Sequence, residues 1–168
     1  MNLQDKILIT GGKGFLGGHL HERLVKEGYQ NVHPLPGKRE WDLTKQHYVD
    51  QAISQFSPDV VIHLAARVGG IGAKKSLMQM LISYHKQYEM NVTNLIPVNM
   101  YGPRDNFNPN VSHVIPAIIL KVHAAMRDFP HKDINIWGSG IASREFLYVD
   151  DCATAIYLAL QKDTGADP

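Results

Sequence analysis

Gly11, Gly12, Gly14 and Gly17 surround Lys13, Phe15 and Leu16 at a spacing that reads both as Gly12-x-Gly14-x-x-Gly17 and as Gly11-x-x-Gly14-x-x-Gly17. Such spacing suits a pyrophosphate. The first glycine makes a tight turn, the second lets backbone approach phosphate oxygens, and the third lets the following helix pack on the strand it leaves, its amino terminus facing the anion. Further along, Lys38 and Arg39 follow Pro36-Gly37. An acid at the end of a second strand would hold a free ribose hydroxyl, whereas a cation there pairs with a 2′-phosphate. Lys38 and Arg39, with Lys13 in the glycine loop, therefore favour NADP(H) over NAD. Glu40 weighs the other way, and two exposed basic residues in a turn need no ligand at all.

The elements that must position these groups are legible around them. Lys6 to Thr10 is a short β-branched run entering the glycines, which reads as a buried strand. Leu16, Leu20 and Leu24 then recur every fourth residue, and Gly28 stops the helix they define. Asn31–Leu35 reads as a second strand. A helix capped by Thr44 runs to about Phe56, where Ser57-Pro58 ends it. Asp59–Ala65 is apolar almost throughout, as a parallel strand buried on both faces should be. A helix over 73–89, a strand over 92–98, a loop at Tyr101–Asn110, a helix over 114–126, a strand over 134–137 and a closing helix over 151–161 complete the order. Alternation of this kind predicts an α/β fold, a Rossmann-like doubly wound parallel sheet, carrying a fragment of a smaller substrate domain.

Composition narrows the field. The chain has 168 residues, with 17 basic against 16 acidic side chains for a formal charge of +1. No cluster of Lys and Arg offers an electrostatic hold on nucleic acid or an anionic membrane, so neither is an expected partner. No apolar run is long enough to span a bilayer, and the start lacks a leader pattern, which points to the cytoplasm. A single cysteine, Cys152, excludes an internal disulfide framework and a multi-Cys zinc site. Nine histidines include no His-x-x-x-His pair, so no metal is expected.

Beyond the glycine loop, the motifs Thr10-Gly11-Gly12-x-Gly14-Phe15-Leu16-Gly17, Asp42-Leu43, His63-Leu64-Ala65-Ala66-x-Val68-Gly69-Gly70-Ile71, Pro97-x-Asn99-x-Tyr101-Gly102-Pro103 and Arg144-Glu145-Phe146-Leu147-Tyr148-Val149-Asp150-Asp151 resemble the extended short-chain dehydrogenase/reductase (NAD-dependent epimerase/dehydratase) family. Val68-Gly69-Gly70-Ile71, Asp105-Asn106-Phe107 and Ser112 to Ala117 are similar to its GDP-L-fucose synthase branch. Members of that branch epimerise GDP-4-keto-6-deoxymannose at two carbons and reduce the ketone with NADPH. The resemblance implies that Gly11, Gly12, Lys13, Gly14, Phe15, Leu16 and Gly17, with Lys38, Arg39, Asp42 and Leu43, bind the adenosine and pyrophosphate half of NADP(H). It implies that Ala65 and Ala66 line the cofactor's path and that Pro97, Val98, Asn99 and Met100 wall the nicotinamide. Lys74 matches the lysine of the family's Tyr-x-x-x-Lys pair, and His113 the acid that protonates carbanions during epimerisation; both would also touch the cofactor. Lys121, Trp137 and Arg144 match positions that contact the GDP-sugar. The family's homodimer is the oligomer it suggests.

The chain departs from that pattern in one region. None of its seven tyrosines is followed four places on by lysine, and the Ser-Ser-x-x-Tyr-Pro strand end is absent. Between Ala66 and Lys74 stand seven residues where the family has a helix, a strand and a catalytic loop. An ammonium alone cannot replace the phenol's proton donation to a developing alkoxide. The expected organisation is an NADP-binding Rossmann domain over 1–103 lacking one central βα unit, interleaved with a partial substrate-binding domain over 104–168 that stops short of the family's carboxyl end. Two further readings stay open: a noncatalytic dinucleotide-binding or interaction module, and another nucleotide-sugar epimerase or dehydratase. Because the cut removes a whole βα repeat, the sheet is expected to stay continuous, with strand 59–65 paired in parallel with strand 92–98. The Tyr101–Asn110 loop and the carboxyl end, where partner segments are missing, are expected to be poorly ordered.

Overall fold

The computed structural model describes residues 1–65, 79–80, 82–83, 85–88, 91–127, 133–136 and 138–162. It divides into two compact units, one formed by Met1–Ile96 with the chain from Asp150 on, the other by Pro97–Val149.

In the first unit β1 (Ile7–Thr10) lies between β2 (Val32–Pro34) and β3 (Val60–His63), all parallel, with Ile9 opposite Pro34 and Thr10 opposite His63. Ile7, Leu8 and Ile9 are almost fully buried, which is why a four-residue strand can hold the centre of a sheet. Helix α1 (Phe15–Lys26) returns the chain from β1 to β2 and buries Leu20 and Leu24, the stripe read from the sequence. Helix α2 (Gln46–Phe56) covers the other connection, its Ala52 and Phe56 packing with Leu8, Leu35, Trp41 and Leu43. Parallel strands joined through helices require crossovers of this type. Residues 79–80, 82–83 and 85–88 are helical, within the expected 73–89 helix. The closing helix, α4 (Val149–Gln161), buries Val149, Cys152, Ala153 and Ile156, and burial pushes the Cys152 thiol up from its ordinary pKa.

In the second unit β4 (Asn99–Tyr101) pairs in parallel with β5 (Phe146–Tyr148), and α3 (Val114–Arg127) lies between them in sequence. Tyr101 meets Phe146 and Tyr148 edge to face, at 6.4 and 5.6 Å between ring centroids.

Four expectations are corrected. Residues 92–98 form no strand, and β3 does not pair with them; the strand starts at Asn99 and pairs with β5 instead. Asn94 and Pro97 are poor strand formers, and Pro97 lacks the N–H a ladder needs. Residues 134–136 are not a strand either. Thr44 does not cap α2: its hydroxyl donates to Asp42 at 2.7 Å and Lys45 takes the cap position, a local side-chain bond outcompeting the helix end. The Asp105–Asn110 stretch is stitched together, since the amides of Asn106, Asn108 and Asn110 donate to the side-chain oxygens of Asp105, Asn106 and Asn108. The carboxyl end beyond residue 162 lies outside the described residues.

Candidate functional site

The carboxyl ends of β1, β2 and β3 share one edge of the first sheet, and the chain turns there by a route that only glycine permits. Gly11 has φ +69°, a left-handed conformation that costs other residues, and a Cβ on it would stand 3.0 Å from the Ala65 nitrogen. At Gly12 a Cβ would stand 2.5 Å from Pro34 Cβ. At Gly17 it would overlap the Gly11 carbonyl oxygen and stand 2.7 Å from Gly12 Cα. The turn is closed by Gly12 N–H donating to Ile9 O at 3.2 Å and Gly14 N–H donating to Gly11 O at 2.9 Å. Gly14 then caps α1 in an extended conformation without a side-chain bond, and no acidic residue occupies the helix's first turn. The outcome is a helix amino terminus with partial positive charge and no built-in carboxylate to answer it. A backbone cradle that a single methyl would fill, facing such a terminus, fits the pyrophosphate of a dinucleotide.

Thr10, to which the sequence reading assigned no role, joins β1 to β3 at this edge. Its Oγ1 lies 2.7 Å from His63 Nδ1 and accepts from the Ala65 amide at 3.4 Å, which helps set Ala65 beside Gly11. Its position directly before the glycines was the available signal.

After β2 the chain folds into a turn in which Glu40 and Trp41 amides donate to the Gly37 carbonyl. Lys38 and Arg39 are exposed on it, as is Lys13. Lys38 Nζ reaches Asp42 Oδ1 at 3.9 Å. Asp42 also accepts from the Thr44 hydroxyl and amide, and the hydroxyl bond is the main reason its carboxyl is held below the ordinary pKa. Leu43 is half-buried against the Leu8, Leu35 and Ala52 cluster. Phe15 sits edge-on to His19, at 5.9 Å between centroids. Leu16 is half-buried.

In the second unit Pro97, Val98 and Asn99 share with Ser143, Arg144 and Glu145 the walls of a shallow cavity of about 480 Å³. Asn99 Nδ2 donates to Glu145 O at 3.3 Å, joining the two rims, and an Arg144 guanidinium nitrogen donates to Ser143 O at 2.7 Å. Met100 is half-buried in β4. His113 is exposed and its carbonyl accepts from Ala117 at the start of α3. Lys121 Nζ donates to Asn135 O at 2.7 Å. Ala66, Lys74 and Trp137 lie outside the described residues. The structure thus groups Gly11 to Gly17 with Ala65, and Pro97, Val98 and Asn99 with Arg144. Among the described residues no group of three or more His, Cys, Asp or Glu side chains could hold a metal, and no helix is long and apolar enough to cross a membrane.

A glycine turn running into a helix at the carboxyl edge of a parallel sheet marks a Rossmann-type α/β protein. A profile described as Epimerase, the NAD dependent epimerase/dehydratase family, matches residues 7–77 and 72–168, and the chain belongs to that family. The two matched segments meet at 72–77, beside the stretch where the sequence is short of its relatives. GDP-L-fucose synthase of Sinorhizobium fredii is 27% identical over 225 residues, covering 93% of this chain and 70% of that protein. That aligned length exceeds the 168 residues of the whole chain, so the relative carries internal residues with no counterpart here. GDP-L-fucose synthase of Escherichia coli is 45% identical over 116 residues, covering 67% of this chain and 33% of that protein. The structure of a GDP-L-fucose synthetase from Naegleria fowleri bound to NADP shares the fold, with a TM-score of 0.82 at 23% identity over 95% of this chain and 74% of that one.

Proposed function

We propose that the chain binds a nicotinamide dinucleotide, NADP(H) in preference to NAD(H), and derives from the GDP-L-fucose synthase lineage without retaining that enzyme's turnover. The observation that carries the first part is the glycine turn, whose backbone leaves no room for a side chain and opens on the amino terminus of α1. Lys13, Lys38 and Arg39 supply positive charge for a 2′-phosphate, and Arg39 is the better candidate. Its planar fork matches phosphate oxygens, whereas Lys38 is shared with Asp42. A bound nicotinamide would supply or accept hydride. Asp42, Leu43, Ala65 and Ala66 would flank its adenosine side, and Pro97, Val98, Asn99 and Met100 its nicotinamide side.

For the sugar nucleotide, Arg144 stands on the cavity with Pro97 to Asn99, and Lys121 and Trp137 are the other residues we assign to a GDP-sugar; His113 is assigned as the acid of epimerisation and a cofactor contact. Lys74 would be the remnant of the catalytic pair. With no Tyr-x-x-x-Lys and no Ser-Ser-x-x-Tyr-Pro strand end, the proton donor and the hydroxyl partner of a 3,5-epimerisation and 4-reduction are both missing, each worth about a hundredfold or more. On this proposal the protein acts as a dinucleotide- and GDP-sugar-binding member of the family, cytoplasmic and homodimeric. Its division into an NADP-binding part over 1–103 and a substrate part over 104–168 belongs to the same proposal. Titration calorimetry with NADPH and NADH tests it. Tighter binding of NADPH is expected, and heat from neither cofactor would overturn the reading.

A further inference from the structure

We infer that His19 and Asp150 form a latch that holds the glycine turn in its phosphate-binding shape, making helix α4 a positioning element of the dinucleotide site. This inference rests on the reading of that turn as a dinucleotide site. His19 is only 6% exposed, and its Nδ1 lies 2.5 Å from Asp150 Oδ1, 131 residues away in sequence. A buried imidazole needs a partner, and a carboxylate in the first turn of α4 is favoured there by the helix dipole. One more polar contact joins the same pair of helices, and another joins α4 to the residue just past the end of α1. The Arg23 guanidinium donates to Thr154 Oγ1 at 2.8 Å while lying over the Tyr157 ring, and Gln161 Nε2 donates to Tyr29 Oη at 2.8 Å.

The first two contacts climb in step, from 19 with 150 to 23 with 154, so α4 runs alongside α1 and fixes its axial position, and Tyr29, past the end of α1, meets Gln161. Leu20 and Leu24 are fully buried and hold α1 in place, but burial by itself carries no direction. The hydrogen bonds supply the direction. Position matters because Gly17, two residues before His19, sits so close to the Gly11 carbonyl and Gly12 that the start of α1 and the turn move as one body. A shift of α1 along its axis would displace the amides that face a phosphate. The segment from Asp150 on is thereby tied to a site at the opposite end of the chain.

Hydrogen exchange on the full chain separates this role from general stabilisation. The Gly14 and Gly18 amides, bonded to Gly11 O and Gly14 O, report the turn, and the Ile7 amide, bonded to Asn31 O, reports the sheet. His19→Ala should lower protection at Gly14 and Gly18 by about tenfold or more, leave Ile7 unchanged, and raise the Kd for NADPH about tenfold. His19→Asn, which keeps a nitrogen near the Nδ1 position, should recover most of the loss. Asp150 is 56% exposed, so Asp150→Ala breaks the bond without opening a core cavity. It should reproduce both effects, and it decides the matter if His19→Ala fails to fold. Equal loss at all three amides, no loss at Gly14 and Gly18, or a wild-type Kd in the folded variants would each overturn the latch. If the wild-type chain binds neither NADPH nor NADH, the cofactor reading falls, and the exchange pattern alone decides whether the latch holds the turn.

Discussion

Gly17→Ala is the sharpest perturbation of the site. The new methyl would overlap the Gly11 carbonyl oxygen and stand 2.7 and 2.8 Å from Gly12 Cα and C. All three neighbours are backbone, so no side chain can swing aside and the first turn of α1 must part from the loop. Alanine inside a helix is favoured over glycine by about 1 kcal/mol. Forcing a methyl into filled space costs about 1–3 kcal/mol, and backbone neighbours put this site at the upper end. The two terms leave a net stability loss between about zero and 2 kcal/mol, small enough for the variant to fold. Binding should suffer more, because amides displaced by a few tenths of an ångström no longer converge on one anion; a tenfold rise in Kd corresponds to about 1.4 kcal/mol. Gly37→Ala is the control, at the same sheet edge with nothing within 4 Å of its added methyl. Thermal unfolding and calorimetric titration with NADPH should show Gly17→Ala weakened at least tenfold in binding and Gly37→Ala close to wild type. A Gly17→Ala chain that gains the full helix-propensity increment in stability and binds NADPH like the parent would refute the steric conflict at Gly17.

Arg39→Ala should reduce the preference for NADPH over NADH more than Lys38→Ala does, since Lys38 is shared with Asp42; an affinity ratio unmoved by the double substitution would refute the 2′-phosphate assignment. Incubation with GDP-4-keto-6-deoxymannose and NADPH should yield no GDP-fucose above background by chromatography, and turnover like that of an intact relative would mean another group had replaced the missing tyrosine. Thr44→Val should raise the Asp42 carboxyl toward the ordinary carboxylate pKa in an NMR titration, since the Thr44 hydroxyl is the main cause of its lowering. A carboxyl lowered in the folded state stabilises above its unfolded pKa and loses that contribution as pH falls through the folded value, so the wild-type turn should loosen only in acid. Among the described residues strand β3 ends its sheet's order, and Val61 on it is 50% exposed. Val61→Lys should therefore reduce aggregation on heating, read by light scattering, and unchanged scattering would argue against β3 as the sticky edge.

Local chemistry made the first half of the fold readable. The β-branched run at Ile7–Thr10, the leucines of α1 and the glycines between them each carry a period or a steric demand that one element satisfies, and all three appear where the residues placed them. Position 92–98 misled because its apolar residues suggest a strand, while the partner that decides the matter, Phe146–Tyr148, lies some fifty residues on. Register of that kind is tertiary information. Thr44 has the residue type of a cap, but Asp42 two places back took its hydroxyl. Among the site residues, the glycines announced themselves by spacing, and Arg144 with Pro97 to Asn99 came from resemblance before geometry grouped them. His19 was invisible. A histidine beside a leucine stripe carries no signal until Asp150 is brought against it by the folding of the intervening chain.

The glycine turn is the proposed seat of the dinucleotide. Amide-resolved NMR of the full chain during titration with NADPH addresses this most directly. Saturable shifts should centre on Gly11 to Gly17 and on Ala65, with smaller changes at Lys38 and Arg39, and NADH should need a higher concentration to produce the first set. Absence of any shift at Gly14, Phe15, Leu16 and Gly17 at saturating NADPH, or shifts confined to other parts of the chain, would contradict it.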